Sequence, residues 1–376
     1  MKPLEPKEHF VGLETCTWLY SGAETPVHKD GLKAVHEYLK VRGEGPVGRS
    51  RNAEIEQECK ENIAELVHHQ PENIAFLSNC SEAISMIAQS MDWKEGDNVV
   101  INNLEFPSGV LPWIRLKEIG VELRVVSHRN WEVSIDDILS RVDERTRMVI
   151  TSHVSYLTGA RIDYRKLYGY LKTTNTLLLL DVTQSLGAVS VDMNETDFIV
   201  CSSYKWLLSI HGMGILGVNP ERTSAFFPKS IGWRSIKDMF SENRFESFDY
   251  CDDARRFELG FPSYATIYAM NYSSGLIRRI GVDRIESHIL ELGGQLIERL
   301  QALGYEVMTP VQPERRAGNI CVSTLQGEEI AQRLLRDKVF VWGGDGRFRA
   351  SVHLFNDTED VSRLLHSLTD SYNFQK

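Results

Sequence analysis

The segment CSSYKWLLSIHGMGIL, residues 201–216, sets a lysine between small hydroxyl residues and a glycine-rich run. A lysine just beyond an apolar strand is poorly solvated, so it gives up its proton readily and can form a Schiff base with a carbonyl. Lys205 is that residue. Upstream, the aliphatic run TLLLLD ends on Asp181 and continues into Val182, Thr183 and Gln184. A carboxylate at the end of such a strand must be paired or must serve a site. An opposing charge about 4 Å away, at an effective dielectric of about 20, is worth roughly 4 kcal/mol, or about three pK units for the partner. Asp181 can therefore hold a heterocyclic nitrogen protonated. Two more strand ends add to this set. Ser78-Asn79-Cys80-Ser81-Glu82 opens a helix whose free N–H groups suit a phosphate, with a Ser81 helix cap as the plainer reading. Asn103-Leu104-Glu105-Phe106 supplies an aromatic ring.

For these residues to meet, the chain needs a frame that lines up strand ends. From about Glu72 to Val218, short apolar runs (NIAFL, NVVIN, ELRVV, RMVITS, TLLLLD, DFIVCS, GILGV) alternate with helix-like stretches such as SEAISMIAQSMDW, SGVLPWIRLKEIG and SIDDILSRV. That alternation predicts a mostly parallel sheet between two helix layers, a three-layer α/β/α large domain. Ligands of open parallel sheets lie beyond the carboxyl ends of the strands, where these polar residues fall. Past Pro262 the pattern changes to two amphipathic segments, 263–280 and 282–303, then weaker strands at NICVS, VFVW and RFRASV, and a closing helix capped by Asp357. We expect an N-terminal segment (1–19) packing on the small domain, a large cofactor-binding domain (20–262) and a smaller α+β domain (263–376). Residues 219–260, aromatic and charged without a clear period, read as long excursions at the large domain's edge.

A phosphate cup, an aromatic, a carboxylate and a lysine at successive strand ends together suggest pyridoxal 5′-phosphate. In that reading the phosphate anchors at the helix end, Phe106 covers the ring face, Asp181 keeps the ring nitrogen protonated, and Lys205 carries the aldehyde. The stretch DVTQSLGAVSVD, followed by SSYKW and GMGIL, resembles the aspartate, glutamine and lysine blocks of the aminotransferase class V family of fold-type I pyridoxal-phosphate enzymes, from about Tyr20 to the last helix. That group includes cysteine desulfurases, isopenicillin N epimerase and kynureninase-like lyases. The resemblance implies Asp181 on the pyridine nitrogen, Gln184 near the ring hydroxyl, Lys205 as the Schiff-base lysine, and Cys80, Ser81, Ser202 and Tyr204 around the phosphate. It also implies Phe106 as the ring-stacking residue and Arg349, in RFRASVHLFND, as the grip on the substrate carboxylate, which a guanidinium fork fits bidentately. Arg347, two residues earlier on the same strand face, is its rival.

Several positions depart from the family pattern. Tyr204 stands where many relatives have histidine, and Tyr156, in HVSYLTG, where desulfurases have a ring-contacting asparagine. Phe261 replaces a threonine that reaches the phosphate of a partner subunit, with Ser263 or a nearby N–H as substitutes. Tyr156, Trp233 and Arg234 are candidates for specificity or for core packing. VFVWGGDGRFR lacks the nucleophilic cysteine that desulfurases place before the carboxylate arginine, and the last cysteine is Cys321. We therefore expect an amino-acid enzyme of aminotransferase-like or lyase-like activity that does not form an enzyme persulfide, with epimerisation as the alternative and a silent binding protein behind it.

The 376 residues are 42% hydrophobic and 25% charged with a formal net charge of −10, a globular composition without the basic patch that nucleic acid requires. The opening MKPLEPKEHF has no apolar signal region and no run is long enough to span a membrane, so we expect a cytoplasmic chain with reduced thiols and, by resemblance, a homodimer. No metal site is expected: His68-His69 closes a charged helix without ligand spacing. GEGPVG at 43–48 matches a dinucleotide fingerprint, but no apolar strand precedes it and Pro46 is expected to break the turn-to-helix context.

Overall fold

The computed structural model describes residues 1–369. In chain order its strands and helices begin with β1 (Thr17–Trp18), α1 (Lys29–Val41), α2 (Pro46–Leu66), β2 (Ile74–Leu77), α3 (Cys80–Ser90), β3 (Asn98–Asn102), α4 (Leu111–Ile114), β4 (Glu122–Val126) and α5 (Ile135–Leu139). They continue through β5 (Thr146–Ser152), α6 (Tyr164–Leu171), β6 (Leu177–Asp181), β7 (Phe198–Ser202), β8 (Gly214–Val218) and α7 (Pro220–Thr223). The last are α8 (Tyr264–Ile280), α9 (Val282–Ala302), β9 (Glu306–Val307), β10 (Asn319–Ser323), α10 (Gly327–Arg336), β11 (Val339–Phe340), β12 (Trp342–Gly344), β13 (Arg347–Ser351) and α11 (Thr358–Thr369).

The seven apolar runs named above form one sheet in the order β2-β8-β7-β6-β5-β3-β4. Its interior strands are buried on both faces, as the unbroken Leu178, Leu179 and Leu180 of β6 require, each such side chain contributing roughly 1.5–3 kcal/mol. Strands β4, β3, β5, β6 and β7 run parallel. β8 lies antiparallel to both β7 and β2. A parallel return would need a crossover helix, and residues 203–213 between β7 and β8 hold none. The chain doubles back there, and that reversal carries Lys205.

A four-stranded antiparallel sheet, β12-β13-β10-β9, forms a second unit. The N-terminus is stitched to it: Leu4 N–H donates to Leu354 O at 2.7 Å, Lys7 pairs with Asp357 and Asp360 at 2.9 Å, and β1 pairs in parallel with β11. Asp357 Oδ1 accepts the Glu359 and Asp360 N–H groups and caps α11 as expected. Helix α8 packs on α1 and α2, and α9 against the small sheet and α11. Among the described residues no helix is long and apolar enough to cross a membrane.

Two local expectations fail. The stretch SGVLPWIRLKEIG is not one helix: it breaks into α4 flanked by 3-10 turns at Pro107–Gly109 and Arg115–Ile119. Pro107 and Pro112 each lack an N–H and fit only in a first turn. Pro46 does not break a helix either; it begins α2, where a missing N–H costs nothing. Since α1 rather than a strand precedes that glycine run, the dinucleotide reading still lacks its context.

Candidate active site

Strand ends β2, β3, β5, β6 and β7 converge on one cavity of about 140 Å³, lined by Cys80, Ser81, Phe106, Tyr156, Asp181, Gln184, Ser202, Tyr204 and Lys205. Asn79, Ser108, Ser152 and Thr183 complete the wall. Nine of the ten residues expected at the site therefore meet; the tenth, Arg349, stands just behind Tyr156, whose backbone oxygen accepts from its Nη1 at 2.8 Å.

The helix cap is Asn79, not Ser81: the Asn79 side chain accepts from Glu82 N–H at 2.9 Å. Ser81 is thereby left one residue inside α3, its hydroxyl 2.7 Å from Ser108 Oγ at the cavity wall. Gly214 of β8 explains how the helix start comes so close: a Cβ there would fall 2.2 Å from the Asn79 carbonyl carbon and 2.6 Å from Cys80 N. The first N–H groups of α3 consequently face the cavity with no side chain in front of them. Cys80 is buried, its thiol 3.9 Å from Thr183 Oγ1, and burial pushes its pKa well up, so it stays a neutral thiol.

Asp181 is buried; its Oδ1 accepts the Thr183 N–H at 2.8 Å, and no cation among the described residues lies at ion-pair distance from it. Burial raises its pKa, opposed by Thr183 and by Lys205. Such a carboxylate is suited to a charged N–H donor in the cavity. The Lys205 amine lies 5.6 Å from the Phe106 ring and 5.8 Å from the Tyr204 ring. Desolvation, reinforced by the Arg349 charge and opposed by Asp181, lowers its pKa to about 8. Its backbone is held from the stretch before α1, where Thr25 Oγ1 donates to Lys205 O at 2.7 Å. Burial likewise raises the Tyr204 phenol, which bonds Ser202, and His211 stacks on its ring at 3.9 Å.

Gln184 is more committed than expected. Its Oε1 accepts from both Trp206 Nε1 and Asn319 Nδ2 at 2.9 Å, and its amide donates to Gly22 O at 2.8 Å. One N–H is left for a ligand, and the side chain ties the N-terminal segment, the lysine turn and β10 together. Phe106, 44% exposed, meets the Tyr156 ring edge-on at 5.2 Å. Arg234 is paired with Glu56 and Glu258 and does not line the cavity. Trp233 packs edge-on to Phe261 at 4.7 Å, and Phe261 is 54% exposed. The Ser263 hydroxyl caps α8 through Thr266 N–H at 3.4 Å. Buried Glu105, missed in sequence, accepts from Ser152 N, Ser152 Oγ and Asn102 Nδ2 at 2.6–2.8 Å and so sets the loop that carries Phe106.

An anion cup at a helix start, a buried carboxylate without a cation and a lysine of lowered pKa fit pyridoxal phosphate: Cys80 and Ser81 at its phosphate end, Asp181 at its ring nitrogen, Lys205 at its aldehyde. The aminotransferase class-V family profile matches residues 17–364, so the chain belongs to that family and is a pyridoxal-phosphate-dependent enzyme of fold type I. A probable cysteine desulfurase of Methanothermobacter thermautotrophicus is 28% identical over 94% of both chains. Among solved structures, the apo cysteine desulfurase of Thermococcus onnurineus is similar at a TM-score of 0.90, with 23% identity and 98% of each chain covered. The cystine C–S lyase C-DES, solved with its product cysteine persulfide, matches at 0.88 with 21% identity, covering 96% of this chain and 99% of that one.

These likenesses overturn the expectation of an aminotransferase-like or lyase-like enzyme, with epimerisation as the alternative, that excluded persulfide-forming desulfuration. The error lay in reading one missing cysteine as missing chemistry. With the cofactor bound, a lysine acting at Cα would drive elimination of sulfur from Cβ without an enzyme thiol, so a missing cysteine does not exclude C–S cleavage. All six cysteines here are buried and free.

Proposed function

We propose that the protein cleaves the Cβ–S bond of cysteine or of its disulfide, as the names of its relatives suggest. The observation that carries this reading is the meeting of Lys205 and the buried Asp181 in one cavity, in a chain whose similar proteins are named for desulfuration. Bound pyridoxal phosphate supplies an electron sink. Around it, Arg349 holds the substrate carboxylate, Asp181 keeps the ring nitrogen charged, and Phe106 and Tyr156 close the cavity against water. With the cofactor bound, Lys205 would remove the Cα proton, and the departing sulfur would take the Cβ–S electron pair. Gln184, Ser202 and Tyr204 orient the ring and phosphate.

The same reading carries the rest of the frame. We propose the division 1–19, 20–262 and 263–376, a homodimer that covers the exposed Phe106, Trp233 and Phe261, and a reducing cytoplasmic setting that suits six free thiols.

The experiment is to load the purified protein with pyridoxal phosphate, add cysteine and cystine, and assay sulfide, sulfane sulfur, alanine and pyruvate. Sulfur release from either substrate, lost with Arg349→Gln through a KM raised on the order of 100-fold, is the expected result. No sulfur release from either, in protein that shows the cofactor's visible absorbance, would sink the reading.

A further inference from the structure

We propose that Glu105 is a positioning residue of the cofactor site: it holds the Ser152 hydroxyl turned toward itself and away from Asp181, which leaves Asp181 its full hold on the proton of the ring nitrogen. The inference concerns the cofactor and not the substrate, so it stands apart from the C–S cleavage proposed above. Glu105 is 8% exposed, and among the described residues no cation lies at ion-pair distance from it. Bracing a loop does not call for a charge, since a glutamine of the same size costs far less to bury. A carboxylate withdrawn from water in this way points to a function at the neighbouring site.

The two oxygens of Glu105 are used differently. Oε1 accepts from Ser152 N at 2.8 Å and from Asn102 Nδ2 at 2.6 Å, while Oε2 accepts the Ser152 hydroxyl at 2.6 Å. A hydroxyl has one hydrogen, so while Glu105 takes it Ser152 offers only lone pairs to anything else. Ser152 and Asp181 are register partners on the parallel strands β5 and β6, and both line the cofactor cavity. Neighbouring strands lie roughly 4.7–4.9 Å apart, so a Ser152 hydroxyl turned the other way comes within reach of the Asp181 carboxylate. A donor there would stabilise that carboxylate in its own right and weaken its grip on the ring proton. Asp181 takes one N–H, from Thr183, and Glu105 keeps the next donor from it.

The arrangement also has a pH sense. Burial, joined by the Asp181 charge and opposed by the Ser152 and Asn102 hydrogen bonds, pushes the Glu105 pKa up to about 7. On its far side Glu105 shares a cavity of about 40 Å³ with Glu132 and Arg161, which are themselves paired with Arg315 and Glu286. Above that pKa Glu105 is acceptor only and keeps the hydroxyl. Below it the added proton falls on Oε2, because Oε1 already faces two N–H donors, and the Ser152 hydrogen must then turn away.

The test loads the wild type, Glu105→Gln and the double variant Glu105→Gln/Ser152→Ala with pyridoxal phosphate carrying a nitrogen-15 label in its ring. It reads the ring-nitrogen NMR signal and the cofactor dissociation constant at pH 8, with thermal melts of each protein. In Glu105→Gln the amide donates to Ser152 Oγ instead of accepting from it, so the hydroxyl turns to Asp181. The ring signal should move toward that of unprotonated pyridine, and the dissociation constant should rise on the order of tenfold. Removing the hydroxyl in the double variant should restore most of both, although the Glu105 charge is still absent. An unchanged ring signal in Glu105→Gln overturns the inference. So does a loss that Ser152→Ala does not rescue, because a loop brace or a bare charge effect predicts no rescue. Should Glu105→Gln fail to fold, the wild type is compared with Ser152→Ala as pH falls through about 7. The wild-type ring signal should then move further toward the unprotonated form than that of Ser152→Ala, and equal movement overturns the inference.

Discussion

Around Lys60 on α2, and around Lys205 beyond β7, the chain withdraws the same side chain from water in two ways. Lys60 is met by Glu258 at 2.7 Å, Glu258 by Arg234 at 2.8 Å, and Arg234 by Glu56, so two cations and two carboxylates close on themselves. Lys205 is given two aromatic rings and, among the described residues, no acceptor for its amine; the charges that act on it most are Arg349, which opposes its protonation, and Asp181, which favours it. The difference shows that burial alone does not make a lysine reactive. Withholding a direct partner does, because the amine then has less to lose by giving up its proton.

The largest effect expected from breaking that contrast is on chemistry. Lys205→Ala should remove the visible absorbance of bound cofactor and lower turnover at least about a thousandfold, while the melting temperature of the apo protein does not fall. Retained turnover would end the assignment. Next comes stability. Lys60→Ala removes one of the two cations on buried Glu258 and leaves Arg234 as the other, and should cost about 1.5–3 kcal/mol in denaturant unfolding with turnover per folded molecule kept. A drop in turnover without a drop in stability would reverse the roles given to the two lysines. The smallest effect is the one that sharpens the comparison. Lys205 has a folded pKa lowered to about 8, so its neutral, nucleophilic form grows as pH rises toward that value. Cofactor uptake by the apo enzyme should therefore slow roughly tenfold for each pH unit below it. The same shift makes the apo state more stable as pH climbs from about 8 toward the ordinary lysine value, since the unfolded chain binds the extra proton in that window. Uptake with a midpoint near the ordinary lysine value would show that the cavity does not desolvate the amine.

Much of the site is legible in order along the chain. Each apolar run is a strand, each polar cluster after it lies at a strand end, and a parallel sheet gathers such ends on one edge. Asp181 and Lys205 announce themselves as charges where apolar strands stop. Ser108, Ser152 and Thr183 carry no such signal, since short hydroxyl residues are common in turns. Asn79 is hidden in its function as a cap, because Ser81 offers the same chemistry two residues on. The exclusion of desulfuration failed on a different ground: it asked a single segment to report a reaction whose proton transfer occurs elsewhere.

The amino-acid sequence by itself determined the sheet, the chemistry of Lys205 and Asp181, and the helix start facing them, because periodicity and residue type are local properties that survive without coordinates. Only the tertiary structure decided which charges are spent. It closed Lys60 on Glu258, 198 positions away, committed Gln184 to Gly22, Trp206 and Asn319, and stacked Arg347 between Tyr156 and Trp342. Those pairings join segments far apart in the chain, so the partner of each polar group depends on how the layers pack, and no local pattern records it.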